Sequence, residues 1–374
     1  MSQPTEINLG VTADLHVHLR DGEMMELITP TVREGGVSIA YVMPNLVPPI
    51  TKIDQVIRYK KNLELLAPKT TFLMTFYLSR DLTPELVEKA AILKVIKGIK
   101  CYPAGVTTNS SAGVDPNDFS DFYPIFKIME KYNLILNLHG EKPSTNHDDI
   151  HHNNSHDDNE HIHILNAEES FLPALFKLHQ DFPNLKIVLE HCTTKAAINA
   201  IEKINSKNVA ATITAHHLYL TIDNWSGNPV NFCKPVAKLP SDKSALINAA
   251  ISGKPFFFFG SDSAPHPLSK KSTHVNVCAG VYTQNNAISY LAEIFQNFDA
   301  LDKLKNFVND FGKNFYNIND SDEIIKSKDT VILYQEKNQV PQLIKNDLIG
   351  DESLVVAPFK AGEELNWNVK WRAS

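Results

Sequence analysis

The chain has 374 residues, of which 43% are hydrophobic, and a formal net charge of -7; that is ample for one large domain or two modest ones. Acids and bases are interspersed without a basic stripe, which argues against a nucleic-acid partner, and no apolar run approaches the ~20 residues of a membrane span. The first nine residues have neither a basic start nor an apolar stretch, and Cys101, Cys192, Cys233 and Cys278 are scattered without Cys-x-x-Cys spacing, so a cytoplasmic protein with reduced thiols is expected.

The first strand-like run, Thr12–Arg20, carries the most informative stretch, Asp14-Leu15-His16-Val17-His18-Leu19-Arg20. On a regular strand alternate side chains share a face, so Asp14, His16, His18 and Arg20 are expected to point the same way. Two imidazoles placed like this can reach one metal ion, and an arginine one step beyond can hold an anion beside it. A His-x-His pair alone is a weak signal, and its company decides. A helix-like segment Met24–Glu34 follows, then a strand Val37–Asn45 ending in Met43-Pro44-Asn45 and a helix Ile53–Leu66. Next come a strand Thr70–Ser79, a helix Pro84–Lys94 and a strand Ile96–Ala104 that carries Lys100. A helix Asp118–Tyr132 leads into a strand Leu134–Glu141 ending in His139-Gly140-Glu141. A helix Ala167–Asp181 precedes a strand Leu185–Thr193 that contains Glu190-His191-Cys192. A helix Lys195–Asn205, a strand Val209–Leu220 holding His216 and His217, and a helix Asp242–Ser252 come next. The last strand, Pro255–Pro265, runs into Gly260-Ser261-Asp262-Ser263-Ala264-Pro265-His266 and is followed by a helix Asn286–Phe295.

Near-continuous apolar strands alternating with helices predict an α/β fold, a (β/α)8 TIM-type barrel spanning residues 1–320. A doubly wound open sheet is the alternative, but it calls for a Gly-rich phosphate turn after an early strand, and none is present. Residues 321–374, with strand-like pieces at Thr330–Tyr334, Leu354–Ala357 and Trp367–Trp371, are expected to pack on the barrel as a short C-terminal extension. The segment 147–163 holds six of the fifteen histidines, five acids and no Lys or Arg. Its composition offers little apolar surface to offset ordering entropy, so a solvated loop insertion within the barrel is expected, able at most to bind stray metal weakly.

In such a barrel the reactive groups stand at the C-terminal ends of the strands. His16, His18, Arg20, Asn45, Lys100, His139, His191 and Asp262 all fall at those ends. Neutral imidazoles suit zinc, and four of them exceed the three protein ligands of an ordinary catalytic zinc, so two ions are inferred. Two ions need a bridge, and Lys100 is placed to supply one. An ammonium beside two dications would be repelled, whereas its carbon dioxide adduct, a carbamate, is anionic. Two Zn2+, one carbamate, the Asp262 carboxylate and a bridging hydroxide sum to a charge of about +1, which suits an anionic substrate. Asp262 is the best general base, taking a proton from metal-activated water and returning it to a leaving nitrogen. Cys101 and Cys192, each adjacent to a proposed ligand, should face the helices on the opposite side of their strands. His216 and His217 have no assigned role.

These residues resemble the amidohydrolase superfamily and, within it, the stand-alone dihydroorotases, most of all the fungal ones. The resemblance covers nearly the whole chain: Asp14–Asp21, Val42–Pro49, Lys100–Ser111, His139–Glu141, Glu190–Thr194, Ala211–His217, Gly260–His266 and Pro358–Trp371. It implies a binuclear zinc centre in which His16, His18 and Asp262 hold the more buried ion, His139 and His191 hold the other, and N6-carboxylated Lys100 bridges the two. It implies that Arg20, Asn45 and His266 grip the substrate α-carboxylate and that Thr107 and Thr108 lie on a mobile closing loop. Backbone groups near Lys234 and Ala279 would contact the pyrimidine ring. Bacterial relatives often have an apolar residue where Lys234 stands, and a contact through backbone makes that change of little expected consequence. The implied reaction is ring closure of N-carbamoyl-L-aspartate to L-dihydroorotate, in pyrimidine biosynthesis; a homodimer is suggested by the same likeness. Two other readings compete. A hydantoinase or allantoinase would share the metal centre but has less use for Arg20, whose two-pronged fit to a carboxylate favours an acid-bearing substrate. An inactive scaffold would be expected to have lost ligands, and here all are present.

Overall fold

The computed structural model describes residues 6–145, 161–272, 276–345 and 354–374; most of the His-rich insertion expected at 147–163 lies outside the described residues. The strands are β1 (Glu6–Gly10), β2 (Ala13–Val17), β3 (Ile39–Val42), β4 (Thr71–Tyr77), β5 (Gly98–Cys101), β6 (Ile135–Leu138), β7 (Lys186–Leu189), β8 (Val209–Ile213), β9 (Phe257–Phe259), β10 (Thr330–Gln339) and β11 (Glu364–Arg372). Strands β2 to β9 are neighbours in chain order, each pair parallel. The ring closes where Val17 bridges Ser263 and the His18 amide donates to the Ser263 carbonyl at 3.0 Å. This is a (β/α)8 barrel of the TIM type.

The apolar strand runs follow from burial on both faces. Phe72, Leu136, Ile187, Ala211 and Phe257 face the helices, while Leu73, Ile135, Val188, Ala210 and Phe258 alternate with them and fill the interior. Cys101 and Cys192 sit in the outer, helix-facing layer. Sequence periodicity missed what stops the barrel's N-terminal end. A helix Leu301–Lys305, a π-helical turn Asn306–Asp310 and a helix Phe311–Tyr316 follow one another without a break. Phe315 and Tyr316 join the interior cluster, and the Tyr316 hydroxyl accepts from Asn137 Nδ2 at 2.8 Å. With one end plugged by aromatic side chains, polar chemistry is left to the other.

The tail contributes β10 and β11, which form an antiparallel three-stranded sheet with β1, order β1-β10-β11. The expected pieces at 330–334 and 367–371 are the cores of these longer strands, whereas Val356 makes only an isolated bridge to Ile344. The Arg33 guanidinium lies 3.6 Å from the centre of the Trp371 ring and 2.6 Å from Asp329, tying this sheet to the barrel.

Two expected elements differ. The helix expected over 24–34 is two, Gly22–Ile28 and Thr31–Glu34, parted at Pro30, which lacks the amide a continuous helix needs. The strand expected over 209–220 ends at Ile213, and a short helix Ala215–Tyr219 follows. Thr214 caps it, its side chain accepting from the His217 amide at 3.1 Å, so His216 and His217 are helix residues and not strand residues. No helix among the described residues is long and apolar enough to cross a membrane.

Candidate active site

The site begins with an irregularity in β2. Ala13 pairs Ile39, Asp14 pairs Ala40, but Val17 pairs Val42, so three residues of β2 span two of β3. This is a β-bulge. Asp14 and Val17 lie opposite the outward residues Ala40 and Val42, and both Leu15 and the following His16 turn inward. Strict alternation, which would have grouped Asp14 with the histidines, therefore fails. Asp14 Oδ1 instead accepts the amides of His16 at 3.1 Å and Ser261 at 2.8 Å, stitching the first barrel strand to the last. Arg20 is also off the strand, with a left-handed backbone of φ 58°.

His16 and His18 converge on Asp262: Oδ1 lies 3.4 Å from His16 Nε2 and 3.0 Å from His18 Nε2. Three ligand atoms, one from each of these residues, all lie within 4.8 Å of one another. His191 neighbours both His16 and His139, with ring centres 5.1 and 4.7 Å apart. Lys100, fully buried, places its ammonium 5.0 Å from the Tyr102 ring centre and finds no hydrogen-bond partner. His191 and Asp262 share the left-handed backbone of Arg20, at φ 41° and 44°. Such conformations are uncommon for residues with a Cβ, and they gather here at the site. Near Asp262 only glycine fits at 260: a Cβ there would stand 2.9 Å from the Thr212 side chain and 3.0 Å from His16 Cβ.

Carboxylates behind the imidazoles aim them. Glu190 accepts from His16 Nδ1 at 2.7 Å, from the Thr212 hydroxyl at 2.6 Å and from Asn137 at 2.6 Å. Glu141 lies 2.8 Å from His139 Nε2 and 3.7 Å from the Lys238 ammonium. Asn45 Oδ1 lies 2.8 Å from His18 Nδ1. Sequence reasoning gave Glu190 and Glu141 no role, although both adjoin or nearly adjoin a histidine at a strand end; Tyr102 was also missed. Asn45 was seen only as an anion contact.

The charges suit cations. Burial pushes His16, His18, His139 and His191 below the usual imidazole range, so they are neutral with lone pairs available. Burial also pulls Lys100 down to about 8, with the charges of Glu190 and Asp262 opposing it. Burial alone would raise Asp262, but its close contacts with His18 and His16 outweigh it and hold the carboxyl at about 2. Neutral imidazoles, an ionised carboxylate and unpartnered buried nitrogens at Lys100, His16 Nε2 and His191 Nδ1 fit a metal centre. A second trio, His216, His217 and Cys233, is equally compact. There His217 is already satisfied by Thr214 Oγ1 at 2.8 Å and the Pro235 carbonyl at 3.1 Å, contacts a metal would have to break.

Beside the cluster is an anion-ready edge. Arg20 Nε donates to the Pro265 carbonyl at 2.9 Å, and its Nη2 lies 3.1 Å from His266 Nε2. That same nitrogen lies 3.0 Å from the Ala279 carbonyl. One imidazole nitrogen cannot both accept from Arg20 and donate to Ala279, so an arriving carboxylate would give Arg20 a better acceptor. Asn45 Nδ2 donates to the Thr108 carbonyl at 3.1 Å, and the Thr108 hydroxyl reaches the Ala279 carbonyl at 3.4 Å. Lys234 spans the mouth and donates to the Val106 carbonyl at 2.8 Å, a side-chain contact that a backbone-only view of this residue omits. His16, His18, Arg20, Asn45, Thr107, Thr108, His139, His191, Lys234, Asp262 and Ala279 all line one cleft, with Lys100 buried beneath.

A parallel barrel with four imidazoles, a buried lysine and a carboxylate at its C-terminal mouth defines a hydrolase of the amidohydrolase kind. No family model matches the chain. The dihydroorotase of Saccharomyces cerevisiae is 61% identical, over 98% of this chain and 98% of that protein, and the dihydroorotase of Mycosarcoma maydis is 43% identical, over 97% and 98%. The crystal structure of the Saccharomyces cerevisiae dihydroorotase in complex with 5-fluoroorotic acid superposes with a TM-score of 0.94 at 59% identity, covering 99% of this chain and all of that one. The chain belongs to the dihydroorotase family.

Proposed function

We propose that this chain interconverts N-carbamoyl-L-aspartate and L-dihydroorotate, in pyrimidine biosynthesis, with two zinc ions per chain. The observation that carries the reading is the meeting, in one cleft, of the His16–His18–Asp262 cluster with Arg20, whose guanidinium lies beside His266. The first offers metal and a proton acceptor, the second a seat for a carboxylate, and dihydroorotate carries a hydrolysable ring amide beside a carboxylate.

His16, His18 and Asp262 would hold one ion, His139 and His191 the other, and Lys100 would bridge them. The bridge requires the Lys100 ammonium first to lose a proton and the resulting neutral amine to add to carbon dioxide with loss of a second, so that two protons leave as a buried cation becomes an anion. When bound, the ions would polarise the ring amide carbonyl and lower the pKa of water towards ~7. The attacking water would give up one proton to solvent as it is activated and the other to Asp262; as the carbon–nitrogen bond breaks, Asp262 hands its proton to the departing ring nitrogen, leaving a second carboxylate on the product. Arg20, Asn45 and His266 hold the α-carboxylate throughout, and Ala279 and the backbone at Lys234 face the ring. Thr107 and Thr108 close over it. Glu190 and Glu141 fix the orientation of His16 and His139, as carboxylates behind metal-binding imidazoles do. The same reading includes a cytoplasmic location and a homodimer.

Comparing turnover of dihydroorotate, hydantoin and allantoin by the purified chain tests the substrate. Dihydroorotate should be strongly preferred; faster hydantoin turnover would reassign the enzyme. Metal analysis should find about two zinc ions per chain, and less than one after careful purification would revive the inactive-scaffold reading.

A further inference from the structure

Lys271 is 5% exposed and takes no part in the chemistry above. Its ammonium donates to three backbone carbonyls: Phe232 at 2.8 Å, Cys278 at 3.0 Å and Gly280 at 2.8 Å. Burying an ammonium is costly unless each of its three N–H groups finds an acceptor, and here the tripod is matched by oxygens from two separate stretches of chain. Successive carbonyls along an extended stretch point in opposite directions. By taking those of Cys278 and Gly280, Lys271 leaves the Ala279 carbonyl turned away from itself, and that carbonyl is found 3.0 Å from His266 Nε2 and 3.4 Å from Thr108 Oγ1, at the cleft. The third acceptor, Phe232, lies two residues before Lys234 and also accepts the Gly280 amide at 2.9 Å. One side chain therefore ties together the two backbone stretches that face the cleft.

We infer that Lys271 is a positioning residue for ring recognition, setting the direction of the Ala279 backbone and its spacing from the Lys234 stretch without touching substrate. This rests on the functional reading above. It predicts an effect on substrate binding that neither a generic loss of packing nor a loss of charge reproduces. Lys271→Met removes all three donors. Lys271→Arg keeps the charge but replaces the tripod with a planar fork, which cannot serve the same three carbonyls. Lys313 is the control: it is also 5% exposed and ion-paired, to Asp320 at 2.6 Å, but stands on the helix that plugs the opposite end of the barrel.

The experiment is steady-state kinetics with dihydroorotate, zinc content and thermal unfolding on the full-length wild type and the three variants. Both Lys271 variants should keep wild-type zinc, raise KM by about tenfold and hold kcat within about threefold. Lys313→Met should lower the unfolding midpoint and leave KM in place. If Lys271→Met does not fold, Lys271→Arg decides alone. A Lys271→Arg enzyme with KM within about twofold of wild type, or a loss confined to kcat, would overturn the assignment. Failure of the wild type itself to turn over dihydroorotate would instead overturn the functional reading, and a normal wild type with unaffected variants overturns only the role of Lys271.

Discussion

Asp262 meets His16 and His18 through a single oxygen, Oδ1, and its amide donates to the His16 carbonyl at 2.8 Å, so backbone and side chain both fix it against the first strand. A carboxyl held at about 2 by these neighbours is ionised at neutral pH, so it is free to take a proton and, once protonated, gives it up readily. Asp262→Ala should lower kcat by about 10^3-fold while some zinc stays bound, because four imidazoles and Lys100 remain; near-normal kcat would move the proton role to another group. Arg20→Gln should act differently. It keeps a hydrogen-bond donor but loses the charged fork, so KM for dihydroorotate should rise about tenfold or more with a smaller change in kcat, and an effect on kcat alone would contradict carboxylate binding there. At this scale the sequence was a good guide to which residues the fold brings together. His16, His18, Asn45, His139, His191 and Asp262 could be picked out as strand-end residues and do meet. The groups behind them could not, since the bond from His16 to Glu190 joins residues 174 apart.

Among the elements, the bulge in β2 and the glycine at 260 work together. The extra residue turns Leu15 and His16 to the same side, one into the apolar interior and one into the site, and Gly260 on the neighbouring strand end leaves His16 the room to be there. Gly260→Ala should force Thr212 or His16 to shift, costing about 1–3 kcal/mol of stability and lowering kcat/KM more than stability alone explains. Wild-type kinetics in a folded Gly260→Ala enzyme would show that His16 tolerates displacement. The bulge was illegible beforehand: Asp14 to Arg20 has the composition of a regular strand, and only pairing with Ala40 and Val42 reveals the added residue. The short helix Ala215–Tyr219 was hidden for a similar reason, being set by the Thr214 cap rather than by an apolar period.

For the molecule as a whole, stability and site share buried charges. Glu168, on the helix Ala167–Asp181, accepts the Thr193 amide at 2.9 Å and the Thr194 hydroxyl at 2.5 Å, locking a helix to the loop after His191. Burial pushes its carboxyl up to about 7, despite the charge of Lys238. A carboxyl whose pKa is raised by folding binds its proton more tightly in the native state, so its contribution is most favourable below the unfolded value of about 4.5 and is lost as pH rises from there to about 7. Urea midpoints should therefore fall over that range in the wild type and fall less in Glu168→Gln; equal pH slopes would show that Glu168 is not the source.

The sequence by itself determined the alternation of strand and helix, hence the barrel, and the residue types at its C-terminal mouth, because apolar period and strand-end position are local properties written along the chain. Only the tertiary structure decided the inward turn of His16, the carboxylates that aim it, the lysine that orients Ala279, and the pairing of β1 with the tail strands β10 and β11. Those features depend on which parts of the chain meet, from Lys271 with carbonyls seven and nine residues on to β1 with a strand more than three hundred residues away, and their geometry comes into being when the ring of strands closes and its ends are covered.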